Sequence, residues 1–217
     1  PADLLQSMRL AKIIKHVWLE SYVEVAGIDF MRKHAPAILH IVGSAAWNGD
    51  GTITLGTAEG GLKITLYMTN WLNPKDIANM NKWFFKTMHH EFTHILHQTV
   101  EFPKEFYEVS TGRYTGAGWV NITDEKALKR GFITNYASTE VHEDFAETVA
   151  NYVTHDEAWW QQQLSIAGDG ASYIDQKLEL AKSYMTETWN IDLESLRDIV
   201  QRRSSEVVRL DLTNLND

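Results

Sequence analysis

Residues 88–98 read MHHEFTHILHQ, and inside them lies the run His90-Glu91-Phe92-Thr93-His94. On an α-helix, side chains four apart stack on one face, so His90 and His94 can grip a single cation. Glu91 points toward the same cleft, where it can take a proton from a water that the metal activates. The same string also arises by accident, as a histidine-rich stretch of core helix. Three conditions separate these readings: the segment must be helical, a third ligand must exist, and a strand must offer a ledge for a substrate.

Helicity follows from the apolar period. Ile77, Met80, Phe84, Met88, Phe92 and Ile95 recur every three or four residues up to Gln98. Asn73-Pro74 supplies a start, an Asn cap followed by a proline whose missing N–H costs nothing there. Asp76 then suits the positive end of the helix. The expected active-site helix is 74–98.

For the third ligand, His97 shares a face with His90 and His94. An unbroken helix, however, climbs about 10 Å between 90 and 97, too far to converge on one ion. His97 is therefore expected to pack beside a ligand rather than act as one. The better source is HEDFAE, residues 142–147. Glu143 and Glu147 lie four apart, so one can bind the metal while the other bonds the free nitrogen of a ligating histidine and fixes its tautomer. Glu143 is assigned as ligand and Glu147 as its support. Asp144 points about 100° away, and His142, a competitor, also lies off that face. The bland reading of HEDFAE is a solvated acidic helix. Tyr136, seven residues before Glu143, offers a phenol that can donate to an oxyanion, or is an ordinary buried tyrosine. Two imidazoles and a carboxylate suit one catalytic zinc ion, with a coordination position left open for water.

Working outward, AILHIVGSAAW and GTITLGTAEGG flank Asn48-Gly49-Asp50-Gly51, a hairpin signal. LKITLYMT (62–69) alternates as a third strand and is expected to be the edge strand, with backbone groups free for an extended peptide. Before the sheet, Leu5, Met8, Ile13, Val17 and Tyr22 space a long helix over 2–25, which Gly27 interrupts; Pro36 ends a short helix after it. Residues 99–123 read as irregular, 124–130 as a short helix, and 138–154 as a well-marked one with Ser138 and Thr139 as caps. Helices alone follow, with a break at AGDGAS (167–172).

The chain has 217 residues, 44% of them apolar, and a net charge of -9. That charge argues against nucleic acid, which needs a clustered cationic face. There is no cysteine, which excludes disulfides and thiolate chemistry. No apolar run reaches the length of a membrane span. The opening PADLLQS, without methionine, reads as a processed or trimmed chain. Eight tryptophans suit core packing or, for Trp47, Trp71 and Trp119, an aromatic-lined cleft.

HHEFTHILHQ followed by NYASTEVHEDFAE resembles the zincin metallopeptidases of the gluzincin type, and the spacing of Tyr136, Glu143 and Glu147 is similar to that of anthrax lethal factor. SYVEVAGIDFMRKHAP, NGDGTITLGTAEGGLKITLY and GFITNYAS with EDFAE resemble the zinc-binding metallopeptidase family of Bacteroidetes, also described as substrate import-associated zinc metallohydrolase lipoproteins. The resemblance implies a zincin-like fold, one zinc on His90, His94 and Glu143, and Glu91 as base. It also implies a lipid-anchored, extracytoplasmic protein at the outer membrane beside nutrient-import components. The lipidated cysteine of that family is missing from this sequence.

The expected architecture is α+β: one zincin-like catalytic domain over 1–217, with a small twisted sheet from 37–69, the active-site helix, and a helical half from 99 onward that carries the third ligand. The expected function is zinc-dependent hydrolysis of peptide or protein substrates. The rival is a catalytically inactive peptide- or glycan-binding accessory lipoprotein, which a closed fourth coordination position would favour. A non-peptidase amidohydrolase on the same scaffold shares the water-activating chemistry.

Overall fold

In the computed structural model, which describes residues 1–213, the chain opens with a helical rod. It comprises α1 (Leu4–Ile14), a π-helical turn (Lys15–Leu19) and α2 (Glu20–Ala26). The Asp3 side chain caps it by accepting from the Gln6 N–H at 2.9 Å. Leu10, Ile13, Ile14, Val17, Trp18 and Tyr22 are buried, whereas Leu5 and Met8 stay exposed in the first turns. Gly27, at φ 88°, turns the chain into α3 (Ile28–His34), just before Pro36.

The strands are β1 (Ile38–Ile41), β2 (Ala46–Trp47), β3 (Ile53–Thr54), β4 (Gly56–Glu59) and β5 (Lys63–Leu66). The expected hairpin forms as a β2–β3 ribbon, Ala46 opposite Thr54, around Asn48-Gly49-Asp50-Gly51. The main sheet has the order β1-β5-β4, with β1 parallel and β4 antiparallel to β5. The expectation that 62–69 is the edge strand is therefore wrong: β5 is central. Its alternation fails where it matters, since Ile64, Thr65 and Leu66 are all buried and only Leu62, outside the strand, is 68% exposed. A strand flanked on both sides and covered on both faces loses its exposed positions. The antiparallel edge is β4.

The helix expected at 74–98 starts later. Asp76, not Asn73, is the cap of α4 (Ile77–Met80), accepting from the Asn79 N–H at 3.0 Å. Asn73 instead accepts from the Lys75 N–H in a preceding turn. A π-helical turn (Asn81–Phe85) leads into α5 (Lys86–Thr99), which carries the histidine motif.

Beyond it come α6 (Lys104–Val109), α7 (Asp124–Lys129), α8 (Val141–Thr154), α9 (Glu157–Ala167), α10 (Ala171–Trp189) and α11 (Leu193–Glu206). Helix α6 and a 3-10 turn at Gly116–Asn121 occupy part of the stretch expected to be irregular. Glu140, rather than Ser138 or Thr139, precedes α8. Those two hydroxyls are spent on the carbonyls of Asn135 and Tyr136 in the turn before it. Helix α8 packs against α5, α10 and α11. Phe84, Met88, Phe92, Phe145, Val149 and Leu196 belong to the apolar cluster they share. Burying each such side chain is worth about 1.5–3 kcal/mol, and this packing fixes how α5 and α8 face one another. The result is an α+β fold in which a small sheet lies beside a predominantly helical body. Among the described residues, no helix is long and apolar enough to cross a membrane.

Candidate metal centre

His90 and Glu91 are buried in the middle of α5, and Glu143 enters from the first turn of α8. His90 Nε2 lies 3.0 Å from Glu143 Oε2, His94 Nε2 lies 3.3 Å from the same oxygen, and the two imidazole nitrogens are 3.0 Å apart. Two ring nitrogens and a carboxylate oxygen thus form a triangle of nearly equal edges. Ligands at about 2.0–2.1 Å around a tetrahedral zinc stand roughly 3.3–3.4 Å from one another. The three side chains fit such an ion in both donor type and spacing.

The charges agree. Burial works against a charged His90, but the carboxylates of Glu143 and Glu147 outweigh it and raise that imidazole to about 10. Burial likewise opposes an ionised Glu143, yet the imidazoles of His90 and His94 hold it well below the usual carboxylate range. The negative field of the two carboxylates that favours a proton here also favours a metal cation, which would displace that proton on binding.

Around the triangle lies a supporting layer. Glu147, one turn along α8, places Oε1 2.9 Å from His90 Nδ1, a contact at ion-pair distance that is off the line of a hydrogen bond. Lys86 Nζ donates to both Glu147 oxygens at 3.1 Å, Thr134 Oγ1 donates at 2.7 Å and Asn151 Nδ2 at 3.2 Å. Burial opposes the charge on Glu147, but Lys86, His90 and Thr134 keep it ionised. His97 Nε2 meets His94 Nδ1 at 2.8 Å. Each histidine of the triangle therefore has its outer nitrogen beside a side chain that can hold its orientation. Lys86, Thr134 and Asn151 carry no sequence signal for this part, since each is an ordinary polar residue until the fold brings it to Glu147.

The two rivals on α8 point elsewhere. Asp144 is fully buried against Lys177 Nζ at 2.7 Å and the Tyr114 hydroxyl at 2.9 Å. His142 faces Tyr107, Glu101 and the ring of His97.

A cleft of about 610 Å³ opens over the triangle, floored by Thr54, Gly56, Thr57 and Ala58 and walled by Glu91, Tyr136 and Glu140. Its floor is β4. Burial and the neighbouring Glu143 raise the pKa of Glu91 against the pull of His90 and His94. A raised pKa makes a carboxylate a stronger proton acceptor. Gly56 lets strand and helix approach: a Cβ there would stand 2.4 Å from Thr87 Cγ2 and 3.3 Å from Glu91 Cγ. Tyr136 borders the cleft with its ring 6.0 Å from that of His90. Burial and the charges of Glu143, Glu147 and Glu91 push its phenol pKa up, so it keeps its proton. Of the three tryptophans expected near a cleft, Trp119 lines a smaller adjoining cavity and packs edge-on against Tyr136, its centroid 5.0 Å away. Trp47 and Trp71 are exposed and line neither space.

A family model described as "Putative zinc-binding metallo-peptidase" matches residues 1–194. Among solved structures, the chain is similar to a crystal structure described as a putative zinc-binding metallo-peptidase from Bacteroides caccae, at 48% identity and a TM-score of 0.86. That match covers 98% of this chain and 82% of the other. No curated protein matches. The chain belongs to this zinc-binding metallo-peptidase family.

Proposed function

We propose that this family member hydrolyses peptide bonds, with His90, His94 and Glu143 holding one zinc ion and Glu91 as general base. The observation that carries the reading is the convergence of three donors on one point, with Glu91 and a free strand edge on the same cleft. Zinc at that point supplies Lewis acidity, lowering the pKa of a water and polarising the scissile carbonyl. Glu91 takes the proton of the attacking water and later delivers it to the leaving amine. Tyr136 donates its hydroxyl hydrogen to the oxyanion. Strand β4 accepts an extended substrate by strand addition, and its alternate side chains set the register. Glu147, with Lys86 and Thr134, holds the ring of His90; His97 holds that of His94.

His97 sits against the outer nitrogen of His94, so it does not close the coordination sphere on the cleft side. This favours the hydrolase over an inactive peptide- or glycan-binding accessory. An amidohydrolase reading shares the water activation and differs in substrate. Zinc content by mass spectrometry, paired with cleavage of a mixed peptide library, tests the proposal. The expected result is one equivalent of zinc and cut peptides, with zinc lost in Glu143→Ala. Unchanged zinc in that variant overturns the ligand assignment, and an uncut library beside a hydrolysed small-amide panel overturns the peptidase. The cellular setting, a lipid-anchored protein at the outer membrane beside nutrient-import components, rests on the sequence resemblance. Fractionation of the native cells, with lipid labelling of the full-length protein, tests it.

A further inference from the structure

A second set of metal-binding side chains lies in the same cleft, one residue contact away from the first. His97 from α5, Glu101 from the segment after it and His142 from α8 each present a ligand atom, all within 4.8 Å of one another. His142 Nε2 stands 3.8 Å from Glu101 Oε2, and its Nδ1 stands 3.7 Å from Glu140 Oε2, so a second carboxylate is close. The two imidazoles stack, with centroids 5.2 Å apart. Phe102 meets both edge-on, and the Tyr107 hydroxyl lies 3.2 Å from His142 Nε2.

A pair of packing histidines would account for the stacking but not for His97. That side chain is only 4% exposed, and its Nδ1 is buried with no partner. Buried polar groups are overwhelmingly paired, and an unpaired one calls for a ligand, a water or a functional reason. The donor set, two imidazoles with one or two carboxylates, suits a zinc-type divalent ion. Its edges are longer than those of the first triangle, and Glu101 is half-exposed, so binding requires that carboxylate to close in. The second site is accordingly the weaker one.

We infer that His97, Glu101 and His142 form a second, weaker site for a zinc-type divalent cation, and that filling it works against the catalytic one. This rests on the peptidase reading and adds regulation to it. The antagonism follows from hydrogen counting. For His94 to bind metal through Nε2, its Nδ1 carries the hydrogen and donates it to His97 Nε2 at 2.8 Å. If His97 binds the second ion through Nε2, it can no longer accept that bond. If it binds through Nδ1, the ring's single hydrogen moves to Nε2 and meets His94 Nδ1–H, donor against donor. Either way His94 loses its outer support while the first ion needs it.

The test starts from protein carrying one equivalent of zinc and titrates Zn2+ by calorimetry, with peptide hydrolysis followed in parallel. A second equivalent is expected to bind at least tenfold more weakly than the first, and activity to fall as it binds. Glu101→Gln and His142→Phe should each weaken the second equivalent by roughly tenfold or more, shift the inhibition with it, and keep the first equivalent. Glu101→Gln is conservative and near the surface, so it tests the site even where His142→Phe disturbs the ring stack. Protein that holds the first ion but shows no second equivalent overturns the inference. So does a second equivalent that binds and inhibits equally well in both variants. Protein that holds no zinc at all overturns the peptidase reading itself, and this inference with it.

Discussion

Helix α8 presents carboxylates in two directions, and they are spent differently. Toward α5, Glu143 and Glu147 meet imidazoles; toward α10, Asp144 meets the ammonium of Lys177 and the phenol of Tyr114. Both arrangements hold opposite charges within hydrogen-bond distance. On the first, Glu143 shares one oxygen between two imidazoles that cannot both donate to it and remain metal ligands, and the group opens on a cleft. On the second, the fully buried acid faces a buried cation and a hydroxyl, which makes a structural strut. Burial pushes Asp144 up to about 6 even against the lowering effect of Lys177. Buried acidity alone is therefore no mark of a site; what distinguishes the metal face is convergence onto a space that a ligand can enter.

The comparison can be broken from either side. The largest effect belongs to Glu91→Gln, which should lower peptide turnover by about 10²–10⁴-fold while mass spectrometry still finds one zinc; full activity would remove Glu91 from the mechanism. On the opposite face, Lys177→Met strands Asp144 and should cost about 3–5 kcal/mol of stability. Denaturant unfolding reads that loss, and the folded fraction should keep its zinc; a silent mutation would deny the strut. Tyr136→Phe keeps the ring and loses the hydroxyl, so kcat should drop by about 10²–10³-fold with KM little changed. A change confined to KM would instead make Tyr136 a substrate contact. The smallest effect is expected for Glu147→Gln, which weakens zinc by about 10–100-fold in competition with a chromophoric chelator. If its zinc affinity matched the wild type, the two faces of α8 would differ less than proposed here.

Much of this was readable from residue spacing. Period 3.6 put the motif on a helix, and two glutamates one turn apart identified the segment that meets it. What spacing could not supply was partnership across the chain. The parallel pairing of β1 with β5 joins Ile38 to Lys63, and nothing local to 62–69 announces it; the alternation there reads equally as that of an edge strand. The π-helical turns at 15–19 and 81–85 are invisible to an apolar period because both ends keep buried stripes. The cap is Asp76, and the Asn73 side chain accepts instead from Lys75 N–H in the preceding turn. In the sequence His142 reads only as a rival to Glu143. Its company with Glu101, from a segment 41 positions earlier in the sequence, exists only once α8 lies on α5.

Gly56 acts as the molecule's feeler gauge. Because it presents only a hydrogen toward Thr87 and Glu91, strand β4 lies closer to the motif helix than any side chain at that position would allow. Reacting groups tolerate displacements of about 1 Å at best before rates collapse. The calibration of this centre therefore depends as much on an atom that the chain omits as on the ligands it provides.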